Sequence, residues 1–235
     1  MDFRKDLIFF LRKIESGENF TLVRYGDGEH MLCDGIDVGK GTQADVQDHW
    51  TSKWKTKLWE ELSKTLDITD DNFRYALPCD CCAPVCKQWY LERIKSKNIT
   101  FANVFINANY QPFKNRLLGL KREVMLIANY EWKDKTYPFP VKQFISIPDD
   151  CVNYFEKNYT QDADMYTKLA KSVHDQLFFV SAWPMANIII FEMFNANPDN
   201  TYIDLGSALD EFTKNRITRW FQNAEWKYAS RYCRF

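Results

Sequence analysis

The chain has 235 residues, 46% hydrophobic and 27% charged, a length near the upper limit for one compact domain and a composition ordinary for a globular protein. Its 31 basic and 32 acidic residues leave a net charge of −1 with no basic block, which argues against a nucleic-acid binder held by phosphate contacts. No apolar run reaches membrane-spanning length, and Arg4, Lys5 and Asp6 precede only a short amphipathic stretch, unlike a secretory leader; a cytoplasmic location is expected.

Phe3, Leu7, Leu11 and Ile14 share one helical face, so the chain opens with an amphipathic helix that Gly17 ends. Phe20–Arg24 alternates as a strand does and runs into Gly26-Asp27-Gly28-Glu29. Apolar residues at Val46, Trp50, Trp54, Leu58, Leu62 and Leu66 predict one long helix over 46–66. Strands are expected at 73–77, 100–106, 124–128, 141–147, 176–181 and 201–204, with helices around residues 89–94 and 113–120. Asp149-Asp150 is a candidate cap for a further helix, and Pro184 suits the start of another. Strands alternating with helices, without a linker, predict a single domain over 1–235. Its fold is α/β, Rossmann-like, a mostly parallel sheet with helices on both faces.

Seven cysteines are present, and Cys79, Cys81, Cys82 and Cys86 share one stretch. Structural zinc sites usually pair two separated Cys-rich turns, and four thiolates this close in sequence would strain to surround one tetrahedral ion. The expectation is therefore a set of reduced, partly buried thiols in a tight loop.

The glycines locate the chemistry. Gly17, Gly26, Gly28, Gly35, Gly39 and Gly41 crowd one N-terminal stretch out of eight in all. Gly26 and Gly28 bracket Asp27 directly after a strand, and ligands of parallel α/β sheets bind outside the carboxyl ends of the strands. Met31 stands where a dinucleotide fingerprint needs glycine, and Gly39-Lys40-Gly41-Thr42 does not fit a P-loop. Without a cradle of amides, a diphosphate needs another source of positive charge. Asp27 and Glu29 can hold a hard cation such as Mg²⁺ or Mn²⁺, and Arg24 can add a charge-assisted contact to a phosphate. The competing reading makes Asp27 and Glu29 turn residues paired with Arg24.

A second group lies at the other end of the chain. Ser181-Ala182-Trp183-Pro184 sits between a buried strand and a helix, where free amides attract anions. Asp204 ends the last strand and is followed by Leu205-Gly206-Ser207-Ala208-Leu209-Asp210. Both aspartates fall on the loop side of the sheet, able to meet a ligand hydroxyl or act as a base; a helix cap and an exposed helical charge are the plainer alternatives.

The run Leu22-Val-Arg24-Tyr-Gly26-Asp27-Gly28-Glu29, with Tyr202-Ile-Asp204-Leu-Gly206-Ser207-Ala-Leu-Asp210, resembles the GT-D fold family of glycosyltransferases. The resemblance implies that Asp27 and Glu29 bind the divalent metal holding a nucleotide sugar, usually a uridine diphosphate sugar. Arg24, Gly26, Gly28, Ser181, Ala182, Trp183, Pro184, Gly206 and Ser207 would then surround the donor. The sequence departs from the resemblance at Trp183, where a small residue, usually glycine, is expected. The function expected is metal-dependent transfer of a sugar from a nucleotide diphosphate carrier to a hydroxyl of a glycan or glycoconjugate. Asp210 is the first candidate base and Asp204 the second. The rivals are a metal-dependent phosphohydrolase and a non-catalytic sugar-nucleotide or carbohydrate-binding protein.

Overall fold

The computed structural model describes residues 1–41, 51–148, 150–214, 216–226 and 229–235. Seven strands form one sheet: β1 (Thr21–Arg24), β2 (Phe73–Leu77), β3 (Ile99–Phe101), β4 (Val124–Asn129), β5 (Val141–Ile147), β6 (Leu177–Ser181) and β7 (Thr201–Asp204). Their order is β3-β2-β1-β7-β6-β4-β5, and every pairing is parallel. The first and last strands are thus neighbours in the middle of the sheet.

Successive residues of a strand face opposite sides, and the sequence supplies apolar groups for both. Leu22, Leu126, Phe179 and Ile203 enter a buried cluster with α1 (Phe3–Ser16) and α5 (Tyr110–Leu118). Val23, Ile127, Phe178 and Tyr202 enter another. That second cluster takes in α2 (Asp27–Cys33), α3 (Lys57–Lys64), α4 (Pro84–Arg93), α6 (Cys151–Lys171) and α7 (Met185–Ala196). Helices cover both faces, as a parallel sheet requires. No helix among the described residues is long and apolar enough to cross a membrane.

Local signals set several boundaries. The Asp2 carboxylate accepts the N–H groups of Arg4 and Lys5 at 3.1 and 3.0 Å, capping α1. Gly17 ends that helix at φ +80, a left-handed turn that glycine takes without strain. Asp150 stands before α6, but its side chain bonds Asn153 instead of a helix amide; Asp149 lies outside the described residues.

Two expected elements are shorter than the pattern implied. The helix expected over 46–66 is confirmed only as α3, with Leu66 in the 3₁₀ turn that follows; Val46 and Trp50 lie outside the described residues. Trp54 is exposed, and Lys55 sits at φ +63, which no helix continues through. The start is fixed from both sides. The Thr56 hydroxyl accepts from the Trp59 amide, and Glu156 on α6 accepts the amides of Lys57 and Leu58 at 3.0 and 2.8 Å. The strand expected over 100–106 closes at Phe101, because the chain then turns and places Asn107 at φ +58. Beyond α8 (Asp210–Lys214), a 3₁₀ turn at Trp220–Gln222 leads to an irregular arm. The Arg234 carbonyl of that arm accepts from the Asp80 amide at 2.9 Å.

The position of Thr56 is testable. Thr56→Ala is expected to lower stability by about 1 kcal/mol in urea unfolding, the usual worth of an N-cap. A helix running through residue 56 would gain from alanine instead.

Candidate active site at the carboxyl edge of the sheet

Because β1, β7 and β6 are adjacent and parallel, their last residues, Arg24, Asp204 and Ser181, reach one edge. The Gly26–Glu29 segment, which follows β1, forms the first turn of α2, with Gly26 as its cap residue. Gly26 is extended at φ −119, so it is not needed for a left-handed turn. It leaves room: a Cβ there would come within 3.0 Å of Glu29 Oε2, the atom that accepts the Gly26 N–H at 2.9 Å. Glu29 therefore closes the α2 N-terminus as the acidic half of a capping box. Asp27 is half-buried at the first helical position, and its carboxylate makes no hydrogen bond or ion pair among the described residues. Gly28 is buried beside it.

Arg24 is engaged elsewhere. Its Nε donates to the Ala102 carbonyl and its Nη1 to the Leu205 carbonyl, both at 2.9 Å. Its backbone N–H donates to Asp204 Oδ2 at 3.3 Å, and its carbonyl accepts from Asn187 Nδ2 at 2.8 Å. Gly206 makes this possible, since a Cβ there would lie 2.5 Å from Arg24 Nη1 and the residue sits at φ +45. No pairing of Arg24 with Asp27 or Glu29 is found among the described residues.

The two aspartates differ. Asp204 is buried, and burial pushes its carboxyl up to about 6, against the opposing charge of Arg24 and the amides of Arg24 and Gly206. Asp210 is buried too, rather than an exposed helical charge; it accepts from Thr218 Oγ1 at 2.7 Å and from Lys214 Nζ at 3.1 Å. Ser181 Oγ donates to the Gly206 carbonyl at 3.1 Å, tying the β6 end to the β7 end. Ser207, half-buried in the next turn, accepts from Gln222 Nε2 at 3.2 Å. Ala182 and Pro184 are buried.

Trp183 sits at φ +48, a left-handed position costly for any residue but glycine. The tight turn that results bonds the Met185 amide to Ala182 and the Ala186 amide to Trp183, at 3.0 and 3.1 Å. Two amides expected to be free for an anion at the start of α7 are thus already occupied.

His30, one turn into α2, packs behind this edge. Its Nδ1 lies 3.3 Å from Cys86 Sγ on α4, and its ring meets Trp89 and Tyr90 at 5.0 and 6.1 Å. Burial holds its pKa below the usual imidazole value, opposed by the charges of Asp34 and Asp27. The Tyr90 hydroxyl donates to the Gly26 carbonyl at 2.9 Å. These contacts pin the Asp27 turn to α4. Only the three-residue offset of His30 from Asp27, one turn of helix, signalled them in the sequence.

By its likeness to solved structures, this seven-stranded, all-parallel α/β sheet with helices on both faces is a glycosyltransferase-like fold. Two solved structures share it. One is described as a highly conserved domain of unknown function 1792 with a distinct glycosyltransferase fold; it aligns at TM-score 0.57 and 14% identity, covering 89% of this chain and 80% of that one. The other is a selenomethionine-substituted structure of domain of unknown function 1792, at TM-score 0.60 and 15% identity with the same coverage. Identity at this level establishes the fold alone. No family model matches the sequence, and no curated protein matches it.

The raised Asp204 carboxyl has a consequence for stability. Between its ordinary value of 3.8 and about 6, the folded chain keeps a proton that the unfolded chain has released. Stability attributable to Asp204 therefore falls as pH rises through that window and levels off above it. Asp204→Asn should remove the trend. Urea midpoints measured from pH 4 to 7 should converge for the two proteins at the acid end and shift in favour of the variant toward neutrality; parallel profiles would show that Asp204 does not titrate in that range.

Proposed function

We propose that the protein is a metal-dependent glycosyltransferase, moving a sugar from a nucleotide diphosphate sugar, a uridine diphosphate sugar by resemblance, to a hydroxyl of a glycan or glycoconjugate. The observation that carries this reading is Asp27. It is an acidic side chain without a partner among the described residues, at the carboxyl end of a central strand, in a fold shared with a structure described as having a distinct glycosyltransferase fold.

Asp27 and Glu29 fit a hard divalent cation. Mg²⁺ or Mn²⁺ takes oxygen donors, and Mg²⁺ is commonly held by one or two carboxylates with substrate phosphates and water completing the shell. Glu29 spends Oε2 on the Gly26 amide, which orients its carboxylate as ligating carboxylates often are. A cation held by Asp27 and Glu29 would supply counter-charge to a diphosphate leaving group. The resemblance puts Gly26 and Gly28 beside the donor, and Gly26 leaves room for Glu29. The resemblance puts Ser181, Ala182, Trp183, Pro184, Gly206 and Ser207 near the donor. Arg24 acts as a positioning residue, holding the β7 turn against β1. The phosphohydrolase alternative is less well supported, because no group of three metal-competent side chains including Asp27 and Glu29 occurs among the described residues.

For the acceptor's proton, Asp204 now ranks before Asp210. A carboxyl near 6 takes up a proton more readily near neutrality than an ordinary one, whereas Asp210 is occupied by Thr218 and Lys214. Asp204→Asn should depress transfer by roughly 10²-fold or more while donor still binds. Asp210→Asn should lose stability and little turnover per folded molecule; the reverse pattern makes Asp210 the base.

The metal reading rests on paired measurements. Uridine diphosphate titrated calorimetrically should bind with Mn²⁺ and not after EDTA; equal affinity in both removes the cation from the mechanism. Asp27→Ala should abolish nucleotide release at a near-native melting temperature. Glu29→Ala sacrifices the capping box as well and should lose roughly 1 kcal/mol, whereas Glu29→Gln keeps an amide oxygen for the cap and should lose activity alone. Activity that falls only in step with stability would return both residues to the role of turn formers.

A further inference from the structure

The cysteine stretch after β2 does not close on itself. Cys86 turns away to His30, and its place is taken by Cys233 from the C-terminal arm. The Sγ atoms of Cys79, Cys81, Cys82 and Cys233 all lie within 4.8 Å of one another. Cys79 and Cys81 are 3.3 Å apart and Cys81 and Cys82 3.9 Å. A tetrahedral zinc with sulfur at 2.3 Å demands sulfur–sulfur edges of about 3.8 Å, which falls inside the range of separations these four atoms show.

The surroundings suit thiolate charge. Asn107, buried and held in a left-handed turn, points Nδ2 at Cys233 Sγ from 3.2 Å. Asn103 Nδ2 lies 3.3 Å from Cys82 Sγ and 3.7 Å from Cys233 Sγ. Arg231 Nη1 lies 3.7 Å from Cys82 Sγ. Side-chain N–H donors directed at sulfur offset the excess negative charge of a four-thiolate centre and orient its ligands.

We propose that Cys79, Cys81, Cys82 and Cys233 bind one structural Zn²⁺ that staples the C-terminal arm to the loop after β2. Binding replaces four S–H bonds with four Zn–S bonds and releases four protons; nothing is oxidised or reduced. Four protein thiolates leave no open position for water or substrate, so the centre is structural, and its binding energy is folding energy for the arm it holds. This departs from the expectation of a set of reduced, partly buried thiols that hold no metal. That expectation weighed Cys86 as the fourth ligand and missed a partner supplied from far along the chain. The site stands apart from the carboxylates at Asp27 and Glu29 and does not depend on the sugar-transfer reading.

The test uses the full chain purified without chelator. Elemental analysis should find one zinc per chain surviving dialysis, lost in Cys233→Ser and retained in Cys86→Ser and Asp27→Ala. If Cys233→Ser fails to fold, cobalt replaces it as the probe. Wild-type protein stripped under reducing conditions and reloaded with Co²⁺ should show thiolate-to-cobalt charge transfer and tetrahedral ligand-field bands. Well under one zinc per chain with no such spectrum overturns the proposal, as does full zinc in Cys233→Ser. It is equally overturned if fewer than the seven free thiols titrate in denaturant without reductant, because the cluster is then a disulfide site.

Discussion

The carboxyl edge of this sheet is organised by one arginine. Arg24 ends β1, and its donors and acceptor reach Ala102 beyond β3, Leu205 after β7, the Asp204 side chain and Asn187 on α7. A guanidinium is well suited to this, since its planar fork can satisfy several carbonyls at once. The arrangement requires the absence of a side chain at Gly206 and buries Asp204 next to a fixed positive charge. The identity of Gly206 and the bond from Ser181 to the Gly206 carbonyl follow from where that guanidinium lies, while burial raises the Asp204 carboxyl against its charge.

The same edge keeps two kinds of polar chemistry apart. Oxygen donors gather at the start of α2, sulfur donors in the loop before α4 and in the C-terminal arm. Hard cations prefer the first set and thiophilic ones the second, so the two need not compete for one ion. Between them lie His30 and Cys86, in contact with each other and flanked by Trp89 and Tyr90. Burial keeps this imidazole neutral more readily than an exposed one.

Much of this architecture was written in local pattern. The strands at 73–77, 141–147 and 201–204 begin and end where the sequence analysis placed them, because β-branched and aromatic residues bounded by turn residues leave little freedom. Trp183 was marked as standing in a glycine position, and its backbone is left-handed there. What failed was long-range. The stripe through Trp50 and Trp54 read as one helix because periodicity does not register Glu156, which arrives from α6 to start α3 at Lys57. The C-terminal cysteine was unreadable as a partner of the cluster after β2, since proximity in space carries no signature in spacing. Arg24 was read as a contact for a phosphate, and its two carbonyl partners gave no sign in the sequence, because they belong to the backbone and leave no mark on residue identity. The metal role of Asp27 and Glu29 stays with the sequence pattern and the proposal built on it.

The pairing of β1 with β7 has a kinetic meaning. The Arg24–Asp204 bond spans 180 residues, and such non-local closure is slow because loop entropy must be lost before contacts form. On the ribosome, β1, β2 and β3 can assemble as soon as they emerge, yet the inner edge of β1 stays unpaired until residues 201–204 are made. An open strand edge in the middle of an apolar sheet invites wrong partners. Folding of this chain is therefore exposed to aggregation between the synthesis of β1 and that of β7, and its yield should depend more on temperature and chaperone supply than its native packing alone would suggest.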